Sequence, residues 1–199
     1  MHWGEAFGKN YELPNMTAYN ETCAAISMVY LNERMFLLHG ESKYIDCLER
    51  TLYNGVISGM SMDGGRFFYP NPLSSDGKYA FNADNTKTRQ PWFGCACCPS
   101  NLCRFIPSVP GYLYGVKNND IYVNLFAANT STVQVNGKDV VLEETTQYPW
   151  DGDIQIRVVK SAAKNANLLV RIPGWVQNQV LPSDLYKYSD SQKPAYTVT

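Results

Sequence analysis

Apolar residues recur at helical spacing from Ala24 to Leu38, through Ala25, Met28, Val29, Leu31, Met35 and Phe36. This predicts a helix with Asn20 as its N-cap. His39-Gly40 closes it with a cation-capable side chain and then a glycine. A second helix is predicted over 43–57, with Tyr44, Cys47, Leu48, Leu52 and Val56 on one face. The short link between them makes an antiparallel αα-hairpin. From Gly59 to Gly94 the pattern breaks: Gly, Pro, Asn and Asp dominate, interrupted by aromatic runs such as Phe67-Phe68-Tyr69. This is a long irregular connection with short strands, and its aromatic content argues against disorder. Pro99 to Ile106 then forms a short helix, closed by Pro107 and Pro110-Gly111.

After Gly111 the apolar period becomes alternating. Strands are predicted at Leu113–Val116, Ile121–Phe126, Ser131–Val135, Asp139–Thr146, Ile154–Val159 and Leu168–Ile172. Asn118-Asn119-Asp120, Asn136-Gly137 and Asp151-Gly152 supply turns between them. Several short strands at this spacing indicate a β-sandwich. The order of helices, loop, helix and then sheet is an α+β arrangement of two segregated parts, with the boundary at residue 111: 1–111 helical, 112–199 sheet. Beyond Trp175 the tail is polar and contains no evident closing element, so the sheet part is expected to be incomplete.

Composition changes this picture little. Hydrophobic content of 45% permits an ordinary core, and the net charge of -1 offers no basic field for nucleic acid. No apolar run approaches the roughly 20 residues of a membrane span. The 14 Tyr, 8 Phe and 4 Trp suit a sheet core better than a sugar-binding surface. Met1-His2-Trp3-Gly4-Glu5 lacks the basic and apolar regions of a signal peptide, and the start reads as the interior of a larger protein.

The six cysteines carry the chemistry. Four of them fall within Cys95–Cys103, and neighbours such as Cys97 and Cys98 bridge only through a strained peptide, so a disulfide framework is disfavoured. Cys47 and Cys103 sit within helical patterns and are expected to be inert core. Free thiols lean towards a reducing, cytoplasmic compartment, with the compartment otherwise open. Cys97 and Cys98 precede Pro99, which suits the start of a helix, and the pre-proline restriction places Cys98 in extended backbone at its entrance. The positive end of the helix dipole would lower both thiol pKa values. Glu21 and Cys23, two apart, point to opposite sides of a regular helix and converge only in a non-helical first turn. Together the four offer thiolates and a carboxylate, the donors zinc prefers. Glu5, among aromatics and glycines, is a carboxyl whose surroundings would raise its pKa, although a solvated glutamate near a chain end is the simpler reading.

The runs Gly4-Glu5-Ala6-Phe7-Gly8, Tyr11-Glu12-Leu13-Pro14-Asn15, Glu21-Thr22-Cys23-Ala24, Phe67-Phe68-Tyr69 with Asn71-Pro72-Leu73, and Cys97-Cys98-Pro99-Ser100-Asn101 resemble glycoside hydrolase family 127. The resemblance extends in order to about Trp175. It implies the C-terminal part of an (α/α)6-barrel catalytic domain followed by an antiparallel β-sandwich. It implies β-L-arabinofuranosidase chemistry on a carbohydrate partner, with Glu21, Cys23, Cys97 and Cys98 binding Zn2+. Cys97 would be the nucleophile of a retaining mechanism, Glu5 the general acid/base, and Tyr69 would sit near the sugar. The N-terminal barrel helices of the family have no counterpart before Met1, and His2 and His39 match none of its sugar-binding positions. An incomplete toroid exposes apolar helix faces, so the chain alone is expected to be inactive. A homodimer, the exact sugar and the linkage stay open. Two other readings compete: a purely structural zinc module, and a carbohydrate-binding β-sandwich without catalysis.

Overall fold

In the computed structural model, which describes residues 5–190 and 195–199, helix α1 spans Thr22–His39 and α2 spans Ser42–Thr51. Gly40 ends α1 with φ +70°, its amide bonded to the Phe36 carbonyl at 2.7 Å. This is the left-handed closure that the missing Cβ makes inexpensive. The first turn of α1 departs from expectation. The first helical i→i+4 bond runs from Ala25 N to Glu21 O, so Glu21, not Asn20, is the cap residue. The reason is tertiary: Glu21 is bridged to Pro70, and Asn20 O accepts from the Asn71 backbone amide.

The face that α1 buries also differs from the predicted one. Thr22, Ile26, Val29, Asn32 and Phe36 are buried, whereas Met28, Leu31 and Leu38 are exposed. The helix is apolar around most of its circumference, so periodicity alone does not select the inner side. Helix α2 passes at Leu52 into a wider π-type turn and ends at Gly59 in a tighter 3-10 turn.

The chain divides into two compact units, Met1–Arg34 with Cys47–Ser108, and Met35–Asp46 with Val109–Thr199. In the first, the connection from Gly59 to Gly94 contains isolated bridges in place of the expected short strands: Met60 with Phe67, Phe67 with Gln90, and Asn82 with Thr86. Asn82 holds it from inside, accepting the Tyr69 amide at 2.8 Å and donating to Thr88 O at 2.9 Å. Helix α3 spans Cys97–Phe105 and buries Cys98, Pro99, Leu102 and Phe105 along one side. Cys103 lies on the other side and is exposed, contrary to its assignment as core, and Cys47 is half-buried.

In the second unit all six predicted strands are present: β1 Tyr114–Lys117, β2 Asp120–Val123, β3 Asn129–Val135, β4 Lys138–Thr146, β5 Ile154–Ser161 and β6 Asn167–Val170. They form two three-stranded sheets, β1-β2-β6 and β3-β4-β5. The β3–β4 hairpin turns on Asn136 and Gly137, both at positive φ as a two-residue hairpin loop requires. One pairing departs from the antiparallel expectation: β2 and β6 run parallel. The chain reaches β6 only after completing the other sheet, so β6 is not tied to β2 by a hairpin. Ile121 of the first sheet packs with Val133, Val135, Val140 and Leu142 of the second in one hydrophobic cluster. Asp46 and Arg171, 125 residues apart, form an ion pair at 2.7 Å within this unit.

Candidate metal centre

The site lies wholly in the first unit, where α1, α3 and the Gly59–Gly94 connection converge. Glu21 precedes α1 and Cys23 is its second residue, so the two side chains leave the chain before the helical register separates them. Cys97 and Cys98 open α3. Both have entered the helix, whereas pre-proline sterics predicted an extended Cys98. Pro99 is then the third helical residue, where the backbone N–H has no intrahelical partner and its loss costs no hydrogen bond.

These four residues, expected as ligands from the sequence, are brought together. One donor atom from each lies within 4.8 Å of all the others. Cys23 Sγ is 3.4 Å from Cys98 Sγ, and Cys97 Sγ is 4.0 Å from Cys98 Sγ. Glu21 Oε1 is 3.5 Å from Cys97 Sγ and 3.7 Å from Cys98 Sγ. A tetrahedron with zinc–sulfur bonds of about 2.3 Å has edges of about 3.8 Å. Donor type, donor number and spacing therefore all fit a four-coordinate zinc ion.

Thr22 fixes the turn between the ligands. Its amide and hydroxyl both bond Tyr69 O, at 2.9 and 3.2 Å, and the hydroxyl also approaches Phe68 O at 3.1 Å. Asn71 Nδ2 donates to the same hydroxyl at 2.9 Å. Behind it stands Gly59, where an added Cβ would lie 2.6 Å from Thr22 Oγ1.

Two residues without an assigned role in the sequence reading join the site. Asn101 Nδ2 donates to Cys23 Sγ at 3.1 Å, one face of α3 thus carrying Cys97, Cys98 and Asn101. Its signal was its place in Cys-Cys-Pro-Ser-Asn, but no spacing rule names its partner. Tyr19 packs against Tyr69 with ring centroids 6.4 Å apart, and burial pushes its hydroxyl up to about 12. Tyr69 is buried, with its Oη 3.0 Å from Cys97 Sγ, and its ring meets Phe93 edge-on.

The electrostatics oppose a bare thiolate cluster. Burial pushes the Cys23 thiol up to about 12 and raises Cys98 as well, and the neighbouring thiols reinforce the second shift. At Cys98 the predicted lowering by the α3 dipole is outweighed, because removing sulfur from water disfavours its charged form more than one short helix favours it. Glu5 is placed beside Glu21, and the Glu21 charge together with a hydrogen bond between the two carboxyls raises its pKa. The larger cause is a like charge, with desolvation the smallest contribution, and Glu5 itself is exposed. His2 lies outside the described residues.

Comparison with known proteins follows the same residues. The family model of the beta-L-arabinofuranosidase GH127 catalytic domain matches residues 1–111, and that of the GH127 middle domain matches 120–196. The chain is 36% identical over 182 residues to the non-reducing end beta-L-arabinofuranosidase of Bifidobacterium longum subsp. longum, covering 87% of this chain and 27% of that protein. A solved GH127 beta-arabinofuranosidase superposes with a TM-score of 0.90 at 60% identity, covering 98% of this chain and 29% of that one. A GH127 beta-L-arabinofuranosidase from Geobacillus stearothermophilus T6 gives 0.77 at 43% identity, covering 86% and 28%. The chain thus spans little more than a quarter of the length of these relatives.

Proposed function

The chain belongs to glycoside hydrolase family 127, and from that premise we propose that its first unit carries the reacting centre of a zinc-dependent retaining glycosidase acting on non-reducing-end L-arabinofuranose. The observation that carries this reading is the convergence of Glu21, Cys23, Cys97 and Cys98 within 4.8 Å. These four side chains would hold the ion, which when bound would supply the positive charge that keeps buried sulfur as thiolate.

The chemistry then rests on Cys97 and Glu5. The Cys97 sulfur attacks the anomeric carbon and forms a carbon–sulfur bond while the bond to the leaving oxygen breaks. The protonated Glu5 carboxyl, placed beside Glu21, delivers its proton to that oxygen. Glu5 next takes a proton from water, whose oxygen displaces the sulfur. Two inversions at one carbon give net retention. Tyr69 Oη, 3.0 Å from the nucleophilic sulfur, orients it and stands where the sugar would lie.

The helices are read as part of an (α/α)6 barrel and the two sheets as a β-sandwich. The exposed apolar residues Met28, Tyr30, Leu31, Leu37 and Leu38 on α1 support the first, since a helix apolar on all sides belongs between other helices. The shared cluster of Ile121 with Val133, Val135, Val140 and Leu142 supports the second.

Metal analysis of the purified chain should find bound zinc that is lost in Cys98→Ala. Wild type without zinc, or Cys98→Ala with its zinc unchanged, removes the site. An electrophilic arabinofuranose analogue should label Cys97 in preference to Cys47 and Cys103. Labelling of those two with Cys97 untouched leaves a structural zinc site and no nucleophile.

A further inference from the structure

The first unit contains a second concave feature that the thiolate centre does not use. It is a cavity of about 640 Å³, and none of Glu21, Cys23, Cys97, Cys98 or Tyr69 lines it. Three of its walls carry cations, Arg50, Lys87 and Arg89, and no carboxylate is among its lining residues. Lys87 already has the Asp76 carboxylate near enough for its charge to lower that pKa, while Arg50 and Arg89 add positive charge that a bound anion would offset.

Arg89 is the built part of this site. Its guanidinium lies over the Phe68 ring, 4.2 Å from the centroid, and Nη2 donates to Ser58 O at 2.7 Å. Two contacts thus hold it in one orientation, which leaves less entropy to lose when an oxyanion binds. Its Nε is closed to solvent, so the guanidinium can offer the cavity only its terminal nitrogens. Beside the cations stand the rings of Phe68 and Phe81, packed edge to face at 5.3 Å, and the side chains of Asn54 and Ser74. Aromatic rings for the apolar face of a pyranose, amides and hydroxyls for its hydroxyl groups, and guanidinium for a carboxylate are together the recognition chemistry of an acidic sugar.

We infer that this cavity is a binding site for a uronic acid residue of a glycan, its carboxylate held by Arg89 with Arg50 and Lys87. The choice of a saccharide over a free anion rests on the glycosidase reading above; the choice of an anion does not.

Calorimetric titration of the chain with galacturonate, galactose and inorganic phosphate separates the outcomes. Galacturonate is expected to bind at least tenfold more tightly than galactose, with an affinity that falls as salt rises. The exposed pair Arg50→Gln and Lys87→Gln, in one variant, should weaken galacturonate binding about tenfold with zinc content unchanged. Arg89→Gln should abolish it. No galacturonate binding in wild type, or binding unaffected by the Arg50→Gln, Lys87→Gln pair, overturns the inference. Phosphate binding as tightly as galacturonate overturns the sugar and leaves a plain anion site. Loss of zinc or of Cys97 labelling alone would count against the glycosidase and not against this cavity.

Discussion

At the scale of single residues, buried polar groups reveal most where their environment opposes their ordinary state. Glu144 in β4 is almost fully buried, with Oε2 near Tyr114 Oη at 3.3 Å and Asn129 Nδ2 at 3.4 Å, while Oε1 has no partner among the described residues. Burial raises its pKa to about 7 from 4.5. The folded state therefore holds this proton more tightly than the unfolded chain does. The contribution to stability is full below pH 4.5 and declines as pH rises towards about 7. Glu144→Gln keeps the shape and removes the ionisation. It should stabilise the protein by about 1–3 kcal/mol above pH 7 and leave it nearly unchanged at pH 4. Denaturant titrations of both forms across that range check this, and a difference independent of pH would refute it. The sequence could not announce Glu144, because a glutamate in an alternating strand looks the same whether its side faces water or the core. Cys97 and Cys98 were legible for the opposite reason: adjacent thiols before a proline suit few roles other than a metal.

Among elements, α1 and α3 show how a site is assembled from pieces that are individually ambiguous. Glu-Thr-Cys points in two directions on a regular helix, and the conflict disappears because α1 begins one residue later than a cap at Asn20 would place it. The Tyr69 carbonyl and the Glu21–Pro70 bridge impose that start. Gly59 is the back wall of this arrangement. Gly59→Ala would drive a methyl group into the Thr22 side chain, which is fully buried and bonded on three sides. The expected cost is about 1–3 kcal/mol of stability, together with weaker zinc retention because Glu21 and Cys23 move with Thr22. Thermal unfolding and competition with a chelator measure the two effects. Unchanged values in both would show that the wall is softer than the packing implies.

At the scale of the molecule, a long-range ion pair closes the second unit. Arg171 is buried, donates from Nε to Asn124 O at 2.6 Å and pairs with Asp46, whose second oxygen accepts the Gly174 amide at 3.1 Å. Asp46→Ala would leave the guanidinium buried beside an emptied position, which destabilises by about 3–5 kcal/mol. Asp46→Asn should recover only part of this, because its single amide oxygen can accept one of the two hydrogen bonds and its NH2 then faces the other donor. Urea unfolding of the three forms orders them. Equal stability of Asp46→Ala and wild type would mean that water replaces the carboxylate at no cost. No helix among the described residues is long and apolar enough to cross a membrane.

The sequence by itself determined the existence of α1 to α3, all six strands, the Gly40 and Asn136-Gly137 closures and the cysteines at issue, because periodicity and turn chemistry are local properties. It also carried the family, through short runs that keep their order. Only the tertiary structure decided which side of α1 is inner, that β6 lies parallel to β2, that Cys103 faces outward, and that Glu21 caps the helix. It alone joined Asn101 to Cys23, Glu5 to Glu21 and Arg89 to Phe68. Each of these depends on what lies across a gap from residues distant in the chain, and burial, charge and unpaired donors have their energies set there.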